Sequence, residues 1–166
     1  MNKLYLCLLV INLLASNILS AHCQVPCGIY DEASRIILIK ENFQTIEKSM
    51  DQIEKLSGLS DPLSKNQTTR WIITKESHAQ DIQDIISEYF LTQRIKDSDK
   101  EYTKKLEYLH KLLVIAMKCK QTVNISYIDQ AITLIDNFSI LYFDKHGLKH
   151  LEKLSKKMFI FFNKRY

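Results

Sequence analysis

DEASRIILIKENFQTIEKSMDQIEKLS, residues 31–57, is the stretch on which the fold turns. Ile36, Ile39, Phe43, Ile46, Met50, Ile53 and Leu56 recur there at spacings of three and four. An α-helix stacks such positions on one face, so this segment predicts a helix with one buried side. Gly58 supplies a stop for it, and Asp61-Pro62 predicts a turn just beyond.

Three more segments follow the same rule. About residues 67–92, Trp71, Thr74, His78, Ile82, Ile85 and Tyr89 form a stripe. About residues 98–120, Leu106, Leu109, Leu113 and Ala116 do so, and about residues 126–144, Ile128, Ala131, Ile135, Phe138 and Tyr142. Ser126 with Asp129 three residues later resembles a capping box at the start of the fourth helix. Only 3 Gly and 2 Pro interrupt the whole chain, which favours long helices over a many-stranded sheet. Four amphipathic helices joined by short loops predict an all-α fold, an antiparallel four-helix bundle over residues 31–144. No single helix is stable alone, and a shared core must hold them.

Residues 145–166, KHGLKHLEKLSKKMFIFFNKRY, form a basic C-terminal extension. Leu148, Leu151, Leu154 and Met158 line one face of a fifth helix, with lysines on the other. Packing on the bundle or on a neighbouring subunit is the expected fate; attachment to an anionic membrane surface is the sharper alternative. His146 and His150 have the i, i+4 spacing of a helical metal pair, but without a third ligand nearby they read as a solvated pair.

The formal net charge of the chain is +4. So small an excess, with no RNA- or DNA-binding motif, gives no reason to expect a nucleic-acid partner. Hydrophobic residues at 46% and charged residues at 25% are ordinary for a soluble globular domain. Residues 1–21 have the form of a secretory signal: Lys3 as the positive start, an apolar run from Leu4 to Leu14, and a small-residue end at Ala21. A secreted or secretory-lumen protein beginning at His22 is the expectation. Asn66, Asn124 and Asn137 then head glycosylation sequons, Asn137 within an apolar helical pattern that argues against its use.

Cleavage there would open the chain with HCQVPCGIY, residues 22–30. Cys7 leaves with the leader, so Cys23, Cys27 and Cys119 remain, an odd number that makes a poor disulfide framework. A Cys23–Cys27 disulfide with Cys119 as a buried thiol and metal binding by the same pair stand level on spacing. The backbone chemistry tilts toward metal. The α-amine of a first residue His22 and the Cys23 amide nitrogen close one five-membered chelate ring. That nitrogen and the Cys23 thiolate close a second. Pro26 turns the chain back so that Cys27 adds another thiolate, and Gly28 permits the bend that follows. Two nitrogens and two sulfurs in a plane disfavour zinc and suit Ni(II) or Cu(II). Paired thiolates would reduce Cu(II), which leaves nickel as the better match.

HCQVPCGIY resembles the N-terminal hook of the nickel superoxide dismutases, whose pattern is His-Cys-x-x-Pro-Cys-Gly-x-Tyr. Lys75-Glu76, Ala79-Gln80 and Ser87-Glu88-Tyr89-Phe90 resemble family positions further along. The resemblance implies nickel as cofactor, superoxide as substrate, a four-helix bundle and a homohexamer. It also implies His22, Cys23 and Cys27 as the nickel ligands and Tyr30 and Tyr89 as the catalytic tyrosines that hold water or a small anion. Gln24 departs from the usual Asp. Ile37 and His78 fall nearest the places where some members carry a Glu and an Arg that steady the axial imidazole. Two alternatives stand beside the enzyme: a secreted helical interaction protein with a Cys23–Cys27 disulfide, and a nickel-binding relative without turnover.

Overall fold

The computed structural model describes residues 31–163, which form five α-helices and one π-helical segment. The leader, the hook with His22, Cys23, Cys27 and Tyr30, and the surroundings of Met158 lie outside the described residues. Helix α1 is Glu32–Leu56, with Asp31 as its N-cap: the Asp31 carboxylate accepts from the Ala33 N–H at 3.0 Å. Helix α2 is Pro62–Asp84, and it begins where the sequence suggested only a turn. Asp61 accepts from the Ser64 N–H at 3.0 Å, and Pro62 occupies the first helical position, where no N–H is needed.

Helix α2 runs without a break into a π-helix, Ile85–Arg94. After it the chain turns through Glu101, whose φ of 58° lies in the left-handed region, so helix α3, Tyr102–Gln121, starts later than its apolar pattern implied. Helix α4 is Ser126–Tyr142. The capping box expected of Ser126 and Asp129 does not form; the Asn124 side-chain oxygen accepts from the Ser126 N–H at 3.0 Å instead. Helix α5 is Lys145–Asn163.

Pairs of side chains fix the directions. Asn42, in the first half of α1, meets His78, late in α2. Lys75 reaches the end of α3 at Cys119, while Gln83 reaches back to Leu113. Lys40 pairs with Asp136 on α4 at 2.6 Å. In each pair of helices, later residues of one face earlier residues of the other, so the neighbours are antiparallel. The sequence α1–α2–α3–α4 closes into a ring because α4 also packs on α1. The expected antiparallel four-helix bundle is what forms.

Phe43, Phe90, Phe138, Ile36 and Ile135 are fully buried between the four helices. Each contributes about 1.5–3 kcal/mol of apolar burial. The α1 stripe is as predicted through Met50, whereas Ile53 and Leu56 stay partly exposed. The reason is length. Helix α3 ends opposite Lys75, so the tip of the α1–α2 hairpin projects beyond it and leaves Leu59, Leu63 and Ile73 exposed. On α2 and the start of the π-segment the buried face is rotated from the predicted one: Lys75, Ala79 and Ile86 are inside beside the expected Ile82, while Trp71, Thr74, His78 and Ile85 are only half-buried.

Helix α5 packs against α1, with Leu151 in the core and Leu154 against it. Gly147 fits in its first turn because a Cβ there would come within 2.7 Å of the Phe143 ring. Lys145, Lys149, Lys153 and Lys156 stay exposed. Leu151 and Leu154, two of the leucines that a membrane-binding helix would give to lipid, are thus engaged with the bundle. No described helix is long and apolar enough to cross a membrane.

Candidate metal centre

One end of the bundle gathers the start of α1, the π-segment, the start of α3, the end of α4 and the start of α5. It is also the end from which residue 31 leads back to the hook. Tyr89, the one predicted site residue among those described, lies here and is 7% exposed. The other four, His22, Cys23, Cys27 and Tyr30, lie outside the described residues.

Tyr89 is held by charge. Its hydroxyl oxygen accepts from the Arg94 guanidinium at 3.1 Å, and the guanidinium carbons of Arg94 and Arg35 lie 5.1 and 5.2 Å from its ring centroid. The bond to Tyr89 holds the Arg94 guanidinium still more firmly protonated than usual. Arg94 Nε faces the Glu32 carboxylate at 3.2 Å, an ion pair rather than an aligned hydrogen bond. Glu32 also receives the Tyr142 hydroxyl; burial, then the Glu32 charge, pushes that phenol up and keeps it neutral. Behind them Phe90 meets Phe138 and Tyr142 edge-on at 5.3 and 5.5 Å, a rigid aromatic floor.

A shallow pocket of about 410 Å³ opens beside this cluster, between Asp31, Glu32, Tyr142, Asp144, His146 and His150. The histidine pair read as solvated is divided: His150 is ion-paired with Asp31, and His146 is exposed. Burial alone would raise the Asp31 carboxyl, but the hydrogen bonds from His150 and the Ala33 N–H outweigh it and lower it.

The described residues compete poorly for a metal. No three His, Cys, Asp or Glu side chains among them converge to hold one. Cys119 is fully buried, and desolvation pushes its thiol up to about 11, so it is not the thiolate a soft metal would choose. The donor set that fits nickel is the one in the sequence, two cysteines beside a histidine. A family model for nickel-containing superoxide dismutase matches residues 17–146, which takes in the hook and the whole bundle. The chain belongs to that family.

No curated protein and no solved structure matches it. As a nickel superoxide dismutase the protein uses a nickel ion to disproportionate superoxide into dioxygen and hydrogen peroxide. The family match ends two residues into α5, so most of that helix lies outside it.

Other family-like positions prove structural. Lys75 is buried and donates to the Cys119 carbonyl at 2.6 Å and to that of Lys120, capping α3. Ala79 lets the helices approach, and Gln80 accepts from Lys120. Ile37 is core, and His78 Nδ1 lies 2.7 Å from the Asn42 side-chain oxygen, so neither supplies a carboxylate or a guanidinium. Sequence reasoning missed Arg94, Arg35, Glu32 and Tyr142 around Tyr89. Arg94 follows Tyr89 by five, a spacing at which side chains on an α-helix do not meet. The π-helix brings them together, with Ile95 N–H donating to the Phe90 carbonyl at 2.9 Å in the same i to i−5 pattern.

Proposed function

We propose that the hook is the nickel site of this superoxide dismutase. The His22 amine and imidazole, the Cys23 amide nitrogen and thiolate, and the Cys27 thiolate would hold the ion, with Tyr30 and Tyr89 over its open side. When bound, nickel supplies a one-electron couple that superoxide can both reduce and oxidise. The chain's own residues do the rest. Anionic sulfur and amide donors favour the higher oxidation state. The tyrosines hold a water or a small anion and limit access, and ordered water near Tyr30 delivers protons. Two guanidiniums, Arg94 and Arg35, stand over the Tyr89 ring beside the single carboxylate of Glu32, a local excess of positive charge at the tyrosine, while Asp31 and Asp144 line the neighbouring pocket.

The observation that carries this reading is the chain of contacts from Tyr89 through Arg94 to Glu32, two residues beyond Tyr30. Secretion, with removal of residues 1–21, would free the His22 amine for the metal. A homohexamer is the assembly we propose, and the exposed Leu59, Leu63 and Ile73 at the hairpin tip offer apolar surface for subunit contact. Cys23→Ser and Cys27→Ser test the site. Each should abolish nickel binding and turnover while circular dichroism shows an intact bundle; turnover retained in either variant would refute the hook.

A further inference from the structure

We propose that Arg94 is a positioning residue for the dismutase reaction, acting through Tyr89. This rests on the reading of Tyr89 as the second tyrosine of the nickel site. The chemistry of the pair is directional. A guanidinium has donors and no acceptor, so in its 3.1 Å contact the Tyr89 oxygen can only accept. The bond uses an oxygen lone pair and leaves the phenolic proton free to be donated elsewhere.

The guanidinium is itself fixed. Glu32 on α1 faces Arg94 Nε, which ties the π-segment to the helix that continues from the hook. The Arg94 guanidinium carbon also lies over the Tyr89 ring, 5.1 Å from its centroid. Tyr89 is further held edge-on by Phe90 at 5.2 Å. A ring clamped on its face, edge and oxygen has one orientation, and its proton one direction. The Arg94 side chain is 28% exposed, while its Nε is buried against Glu32.

The π-helix is the device that makes this pairing. On an α-helix Arg94 would point away from Tyr89, and the i, i+5 register aligns them. Thr92 and Gln93 use the same register, donating side-chain hydrogen bonds to the carbonyls of Ser87 and Glu88.

The test compares nickel-loaded, full-length protein as wild type, Y89F, R94Q, R94K and the double variant Y89F/R94Q. Superoxide decay after pulse radiolysis gives the rate constant, at low and high salt. R94Q should slow the reaction about 5- to 10-fold, the size of coupling seen between residues in contact. The double variant should be no slower than Y89F alone. R94K keeps the charge but not the planar fork, and it should remain slow. In reduced protein labelled with 13C-tyrosine, the Tyr89 ring signals should shift in R94Q and R94K while the other tyrosines stay in place.

Two outcomes would overturn the proposal. Multiplied losses in the double variant would mean that Arg94 acts independently of Tyr89. Full rescue by R94K, with the defect confined to low salt, would mean that it supplies charge and no orientation. Y89F without effect would instead remove the underlying reading of Tyr89, a failure recognisable from that single variant.

Discussion

Lys75 and Arg94 are two cations used in opposite ways. Lys75, toward the far end of α3, is 3% exposed and spends its ammonium on two backbone carbonyls and the Glu76 carboxylate. Arg94, at the hook end, binds one phenol and faces one carboxylate, and its side chain is 28% exposed. A cation that serves the fold is saturated and dry. A cation that serves a site is left partly exposed. The same contrast separates Cys119, buried and held neutral, from the Cys23 and Cys27 assigned to nickel.

The largest effect that can break this contrast comes from taking the metal away. Chelation of nickel should remove all dismutase activity and leave the bundle's helical signal and most of its melting temperature. Collapse of the helices on metal removal would show that the hook holds the fold together. Next in size is Lys75→Met. It strips the α3 carbonyls of a buried donor and should cost about 2–4 kcal/mol in denaturant unfolding. Activity per nickel-loaded molecule should persist, since Lys75 stands apart from the Tyr89 cluster.

Docking of α5 gives a smaller pair of effects. Leu151→Ala removes a buried side chain and should destabilise by about 2 kcal/mol. His150→Gln breaks only a half-exposed ion pair with Asp31 and should cost about 0–1 kcal/mol. If His150→Gln proved the costlier change, the ion pair rather than the leucines would be what anchors the added helix.

The thiol contrast gives an effect confined to alkaline pH. Below pH 9 the Cys119 thiol is neutral folded and unfolded. Above it the unfolded chain ionises first, while the buried thiol stays protonated to about 11. Stability should therefore fall from pH 9 to 11 by a one-proton slope that Cys119→Val removes. An unchanged slope in that variant would place the lost stability on other groups.

The helix count and most of the core of α1 and α4 were legible because Ile36, Ile39, Phe43, Ile46 and Met50 on α1 and Ile128, Ala131, Ile135 and Phe138 on α4 recur at threes and fours. Helix α2 was misphased because its inner face is centred on a lysine and an alanine. A buried Lys75 looks like a surface residue until its carbonyl partners are known, and Lys105 does the same on α3. The start of α2 was placed too late, because Asp61-Pro62 spells a turn as readily as a cap followed by a first-turn proline. Helix α5 followed its leucine spacing onto the bundle. At the site, the proposed hook is a local pattern, because chelation depends on neighbours in sequence. The Tyr89 cluster is not: Glu32 is distant in sequence, and Arg94 meets Tyr89 only through a register that apolar periodicity does not announce.

The most direct test of the hook as nickel centre is the native mass of the protein recovered from a secreting host grown with nickel. Expected is a chain that begins at His22 and carries one nickel ion, in a six-fold complex. A metal-free chain two hydrogens lighter, with Cys23 and Cys27 joined, would contradict it.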